Sequence, residues 1–303
     1  MNNKRNLLLY IPALLFVTAT FLVGCGGEVQ DLEDIPQDEK IIDESTNLFS
    51  VDDKIFYIPS PVQTSLLMKK IAAPYSKDLL NDVAKVGNYT TSFKQAVNIG
   101  VYGADLGYIT ANNKNQEAIS HLSAVKKLSD ELGVSSAFDF SELEKFGGNA
   151  GNEQEMLTII THAYKSCEEF LRQDERHDVA GLIMAGALIE SLYFAVNFVD
   201  APDNQDVINR IGEQASTLDN IVLVLNPHYS KSENPELSTF VDKLVKLQGE
   251  FDRIKVSYSY QESTIDAANK LCTINSKSQI SIKPAMVKSI ANQIKAIRDL
   301  ITS

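Results

Sequence analysis

Hydrophobic positions recur every three or four residues over most of the chain, and that period predicts helices. Leu66, Leu67 and Ile71 share a face behind Ser60-Pro61, a pairing suited to an N-cap and first helical position, and Pro74 ends the segment. Thr91–Thr110 follows, with Phe93, Val97, Val101, Leu106 and Ile109. Asn113–Leu132 carries Ile119, Leu122, Val125, Leu128 and Leu132 at spacings of three and four, stopped by Gly133. Ser141 to Gly147 opens with capping-box spacing, as does Asn152–Leu171, through Asn152 and Glu155. Asp178–Val199 is the most apolar, and Asn204–Leu225 and Pro235–Phe251 complete the series.

The period then changes to two. Lys255–Tyr260 and Ser278–Lys283 alternate strictly and predict two short strands, joined by a wide loop of about 17 residues. A lone two-stranded ribbon is marginal, so it is expected to pack on helices. Pro284 opens a last helix with Val287, Ile290, Ile294, Ile297 and Ile301 in one stripe. The fold class is therefore mainly α: a multi-helix bundle or irregular α-array with a short C-terminal β-hairpin near 255–283. No fixed-period repeat is visible, and the signature residues of tetratricopeptide solenoids are absent.

The N-terminus has a different pattern. Lys4 and Arg5 precede an apolar run of about 17 residues, Leu7–Val23, with the layout of a secretory signal. Leu22-Val23-Gly24-Cys25 closes it. These four residues resemble the lipobox of bacterial lipoprotein precursors. That resemblance covers about the first 25 residues. It implies cleavage before Cys25, a diacylglyceryl group on its thiol and an acyl chain on its new amine. Several buried acyl chains hold a protein firmly to a membrane. In the best-known sorting rule of that family Asp after the Cys retains the protein in the inner membrane; Gly26 here implies the outer membrane, with the periplasmic or surface face left open. The body is also similar to uncharacterised bacterial envelope lipoproteins that share stretches such as Val101-Tyr102-Gly103-Ala104-Asp105-Leu106-Gly107-Tyr108, a likeness that carries no activity.

Three regions are thus expected: a signal peptide over 1–24, a lipidated acidic tether over 25–53 and a single helical domain over 54–303. Between Glu28 and Asp53 ten carboxylates face the single Lys40, so repulsion should extend the tether. A solvated spacer is one reading of it and a surface-export signal the other. The chain carries a net charge of −12, and losing Lys4 and Arg5 with the signal takes it to −14. Nucleic acid and anionic headgroups call for a basic footprint that this balance does not supply. The expected partners are the membrane, through the lipid, and an envelope protein; the small-molecule ligand is unknown.

Candidate chemistry is sparse. No nucleophile–base–orienter set, cofactor loop or metal motif is visible, so no catalytic, cofactor-binding or metal-ligating residue is assigned. Cys167 and Cys272, about 105 residues apart, are either a disulfide or two separate thiols. His121, His162, His177 and His228 lack zinc-ligand spacing and read as surface residues. Gly147–Asn152 resembles a phosphate loop only in composition, with no Lys after it, and reads as a connection. Gly100, Gly103 and Gly107 share a helix face, where close helix packing or a ligand against bare backbone would offset their propensity cost.

Glu190 is the sharpest signal. It is the one charge inside the apolar run Ala187–Phe194, where a buried carboxylate needs a partner. Tyr102, Tyr108 or a Lys could bond it, and Asp105 could be a companion in a carboxylate pair. Glu190, Asp105, Tyr193 and Gly103 are the pocket candidates, and Cys25 is the lipid attachment site. The first functional expectation is an anchored binding or scaffolding module of the envelope. The alternatives are a hydrolase-like envelope enzyme using the buried carboxylates and an accessory subunit of an outer-membrane complex.

Overall fold

In the computed structural model the described residues are 48–51, 54–57, 61–71, 73–138, 140, 153–173, 176–199, 205–229, 234–266, 271–273 and 275–303. The signal peptide, Cys25, most of the acidic tether, Ser60, the short helix from Ser141, the Gly147–Asn152 loop and the cap at Asn152 lie outside them. The fold is mainly α. Strands β1 (Leu48–Val51) and β2 (Lys54–Tyr57) are followed by α1 (Pro61–Lys70), α2 (Ser92–Ala111), α3 (Asn115–Leu132), α4 (Glu153–Gln173) and α5 (His177–Asn197). Then come α6 (Gln205–Glu213), α7 (Ala215–Tyr229), α8 (Pro235–Phe251), strands β3 (Lys255–Ser259), β4 (Thr264–Asp266), β5 (Leu271–Thr273) and β6 (Lys277–Ser281), and α9 (Pro284–Ile301).

The local signals explain many boundaries. Thr91 caps α2 by accepting from the Lys94 amide, and Asn234 accepts from Glu236 and Leu237 at the start of α8, with Pro235 in the first turn. Gly133 ends α3 at φ 75°, a left-handed conformation that glycine adopts without a Cβ penalty.

Helices α2 and α5 form the centre of the core, packed on each other more extensively than any other pair, with α1, α3, α4 and α9 around them. Glycine makes that approach possible. A Cβ on Gly100 would sit 1.9 Å from the Ile183 carbonyl oxygen, and one on Gly186 would sit 1.9 Å from that of Val97. Both obstacles are backbone, so neither can turn aside. Helix α5 is long and apolar enough to cross a membrane, but 83% of its most apolar window is buried inside the protein. That burial suits a core helix, hydrophobic on every side because neighbours cover every side.

Three expectations need correction. The acidic tether was expected to run to Asp53, yet Leu48–Val51 pairs antiparallel with Lys54–Tyr57 from Leu48↔Tyr57 to Val51↔Lys54. Phe49, Ile55, Phe56 and Tyr57 are residue types with high strand propensity. Asn204–Leu225 is two helices, because the chain turns at the buried Gln214, whose amide bonds the Ile211 carbonyl. The wide loop of the C-terminal hairpin holds a second ladder: beyond the β3–β6 pair, β4 pairs with β5 from Thr264↔Thr273 to Asp266↔Leu271. Of the two readings left open for the cysteines, the structure shows separate thiols: Cys167 is buried, Cys272 is exposed and no disulfide joins them.

Among the described residues, the hairpin is buried against the helices near its base. Ile280 is buried against Gly212 of α6, while Val256, Tyr258, Tyr260 and Ile265 are exposed.

Candidate functional site

The carboxylates of α2 and α5 meet inside the molecule. Asp105 and Glu190 are each 0% exposed. Helix α9 supplies what Glu190 requires: Arg298 Nε donates to Oε2 at 2.7 Å and Nη2 to Oε1 at 2.8 Å. This two-pronged arrangement fits the planar guanidinium to the planar carboxylate. Arg298 Nη2 also donates to the Leu79 carbonyl at 2.8 Å. Its guanidinium carbon lies 4.1 Å from the centre of the Tyr193 ring, so the cation stacks on an aromatic face.

Asp105 has weaker support. One oxygen, Oδ2, accepts from the Asn81 amide at 3.1 Å and lies 3.8 Å from His121 Nε2. The other meets no protein donor. Burial pushes the Asp105 carboxyl well above its usual range, and the neighbouring Glu190 charge pushes the same way. Burial also raises Glu190, but Arg298 opposes it and stabilises the ion. Of the two, Asp105 is the one that burial and its neighbour's charge push toward the protonated form, and Glu190 the one that Arg298 holds toward the ionised form. Two adjacent buried anions facing one cation would be costly; a carboxylic acid, a carboxylate and a guanidinium are neutral together.

His121 is buried rather than on the surface, which corrects the expectation for it. Its Nδ1 faces the Glu117 carbonyl at 3.0 Å, while Nε2 has no hydrogen-bond partner. Burial lowers its pKa, so the ring is held neutral. Tyr102 packs edge-on to it and donates to the Asp82 carbonyl at 3.0 Å. Tyr102 and Tyr108, weighed as partners of Glu190, bond backbone elsewhere: the Tyr108 hydroxyl accepts from the Ser76 amide at 3.1 Å.

A second layer ties the same region to the end of α9. The last carbonyls of a helix lack intrahelical donors. Here Lys94 Nζ donates to Leu300 at 2.6 Å, Asn98 Nδ2 to Ile301 at 2.8 Å, Lys85 Nζ to Thr302 at 3.2 Å and the Tyr89 hydroxyl to Thr302 at 3.3 Å. Asn81 joins the layers, donating to Tyr89 at 3.0 Å and to Asn98 at 3.2 Å. The result is a clasp: α2 and the 77–89 segment hold the C-terminal helix by its carbonyls, and Glu190 holds it by Arg298.

Of the four pocket candidates, Glu190, Asp105 and Tyr193 are brought together, with Tyr193 as the platform for Arg298. Gly103 is elsewhere. It lines a small apolar hollow of about 30 Å³ with Ile99, Leu122, Phe138 and Ile160, and neither carboxylate borders that space. Sequence reasoning missed Arg298, Asn98, Asn81 and Tyr89. A lone carboxylate in an apolar helix demands a cation, and Arg298 sits beside the Ile290–Ile294–Ile297–Ile301 stripe, which was the available signal.

No protein-family model, no curated protein and no solved structure matches this chain.

Proposed function

We propose that the protein is a lipid-anchored lipoprotein of the cell envelope whose helical body works as a binding or scaffolding module. The observation that carries this reading is Leu22-Val23-Gly24-Cys25, placed behind Lys4, Arg5 and an apolar run. Gly26 favours the outer membrane as the destination. The body's chemistry supports binding over catalysis: both oxygens of Glu190 are taken by Arg298, and the carboxylate pair lies away from solvent. Such a clasp organises a rigid frame, and the work of the protein then falls to its surface. An acyl-chain precursor supplied to cells should label the wild-type chain and keep it in the membrane fraction. Cys25→Ala should lose the label and accumulate as unprocessed precursor. An unlabelled wild-type chain in the soluble fraction would sink the anchor.

A further inference from the structure

Strand β3 has an uncovered edge. Every residue from Lys255 to Ile265 is exposed, and among the described residues β3 pairs with β6 alone. Its outer edge therefore presents unpaired backbone N–H and C=O groups at alternate residues. Val256, Tyr258 and, just past the strand, Tyr260 recur at every second position and are 64%, 66% and 74% exposed. Val256 stands opposite Ile280 in the ladder, so this apolar row shares the face that Ile280 buries on α6, but solvent meets it. A two-stranded ribbon of this kind is marginal in water, whereas three or more strands with an apolar face support themselves.

The sequence along the edge says what fits it. Proteins commonly guard an open edge with a charge or a proline, and Val256–Gln261 has neither. The charges stand at the two ends, Lys255 before the run and Glu262 after it. A second copy of β3 laid antiparallel brings the Lys255 end of each strand beside the Glu262 end of the other. The seam then has opposite charges at both ends and none between, so two copies are compatible there although each chain carries −12 overall.

We propose that two copies of this chain join edge to edge through β3, about a two-fold axis at Tyr258, into a four-stranded antiparallel sheet in the order β6–β3–β3–β6. Tyr258 faces its own counterpart, and Val256 of each copy faces Tyr260 of the other. Aromatic–aromatic and aromatic–β-branched pairs of this kind are favourable across strands. The symmetry keeps the apolar row of both copies on one face, which a slip by one residue would not. The seam uses six residues a side where a standard interface uses about 20–30, so the dimer is weak and reversible. The interface goes beyond the binding-module reading and needs no lipid.

The test is sedimentation equilibrium of the full chain in density-matched detergent, with a reductant to keep the exposed Cys272 a thiol. A monomer–dimer equilibrium should appear by about 0.5 mM. Tyr258→Lys sets two like charges on the axis and should weaken the dimer about tenfold or more. Lys255→Glu and Glu262→Lys should each weaken it about fivefold, and the two together should restore it, a rescue that lost folding would not give. In a Cys272→Ser background, Tyr258→Cys should oxidise to a self-linked dimer, because residues facing each other at the axis lie within disulfide range. Ser257→Cys, two positions out of line with its counterpart, should not. The idea is overturned by a monomer at every concentration up to about 0.5 mM, by larger assemblies in place of a dimer, by a dimer indifferent to Tyr258→Lys, by a charge swap that fails to restore association, or by Ser257→Cys linking as readily as Tyr258→Cys. None of these outcomes depends on Cys25, so a failed interface and a failed anchor are told apart.

Discussion

Arg298→Met is the most informative single change to the buried clasp. Methionine keeps much of the arginine stem and removes the guanidinium. Glu190 then loses both of its donors, the Leu79 carbonyl loses its own and Tyr193 loses its cation. Breaking a buried ion pair by deleting one partner costs about 3–5 kcal/mol. The orphaned carbonyl adds about 1–3 kcal/mol taken alone. These losses do not sum, because Glu190 can take up a proton, so about 3–5 kcal/mol is the net expectation. Against a total stability of about 5–15 kcal/mol that is a large fraction.

Glu190→Gln should cost less, about 1–2 kcal/mol. The glutamine oxygen still accepts one arginine bond, and Asp105, relieved of its charged neighbour, can ionise and balance Arg298. The two variants therefore differ although they touch the same ion pair. Urea unfolding of the detergent-purified chain, followed by far-ultraviolet circular dichroism, measures both. The reasoning is refuted if Arg298→Met lies within about 1 kcal/mol of wild type, or if Glu190→Gln costs as much as Arg298→Met.

Three further outcomes follow from the same contacts. Asp105 keeps its proton in the folded protein at pH values where the unfolded chain has lost it, so its contribution to stability falls as pH rises from 3.8 toward the raised value. Asp105→Asn should flatten that slope, as unfolding midpoints across the pH range would reveal. His121 acts oppositely: its buried ring resists protonation, so below 6.5 the unfolded chain binds the extra proton and stability drops with pH. His121→Gln should remove this acid sensitivity in the same assay, and an unchanged acid limb would refute the assignment. Gly186→Ala forces a methyl group toward the Val97 backbone and should cost about 3 kcal/mol or more, read as a lowered melting temperature; a near-neutral result would mean that α2 and α5 separate easily.

How legible these features were depended on what kind of signal each left. Helices α2, α3, α8 and α9 announced themselves because an apolar stripe met at least one boundary signal at each: Thr91 before α2, Gly133 after α3, and Pro235 and Pro284 at the starts of α8 and α9. The α6–α7 break was hidden because Ile211, Leu218, Ile221 and Leu225 are all buried and the stripe continues across Gln214. The 77–88 segment left no trace, since short 3₁₀ turns have no apolar period to read. Strands β1 and β2 were obscured by the acidic residues before and between them. In the site, Glu190 was visible because charge is expensive in an apolar run. Its partner was not, because an arginine at the edge of an apolar stripe ordinarily lays its stem on the protein and points its head to water. The pairing spans 108 residues, and only the packing of α9 on α5 brings it about.

The proposed lipid anchor at Cys25 is decided by the mass of the intact mature protein from its own host. The expected chain begins at Cys25 and carries the added mass of a diacylglyceryl group and an N-linked acyl chain. A chain that begins elsewhere, or one that begins at Cys25 with no added mass, would contradict it.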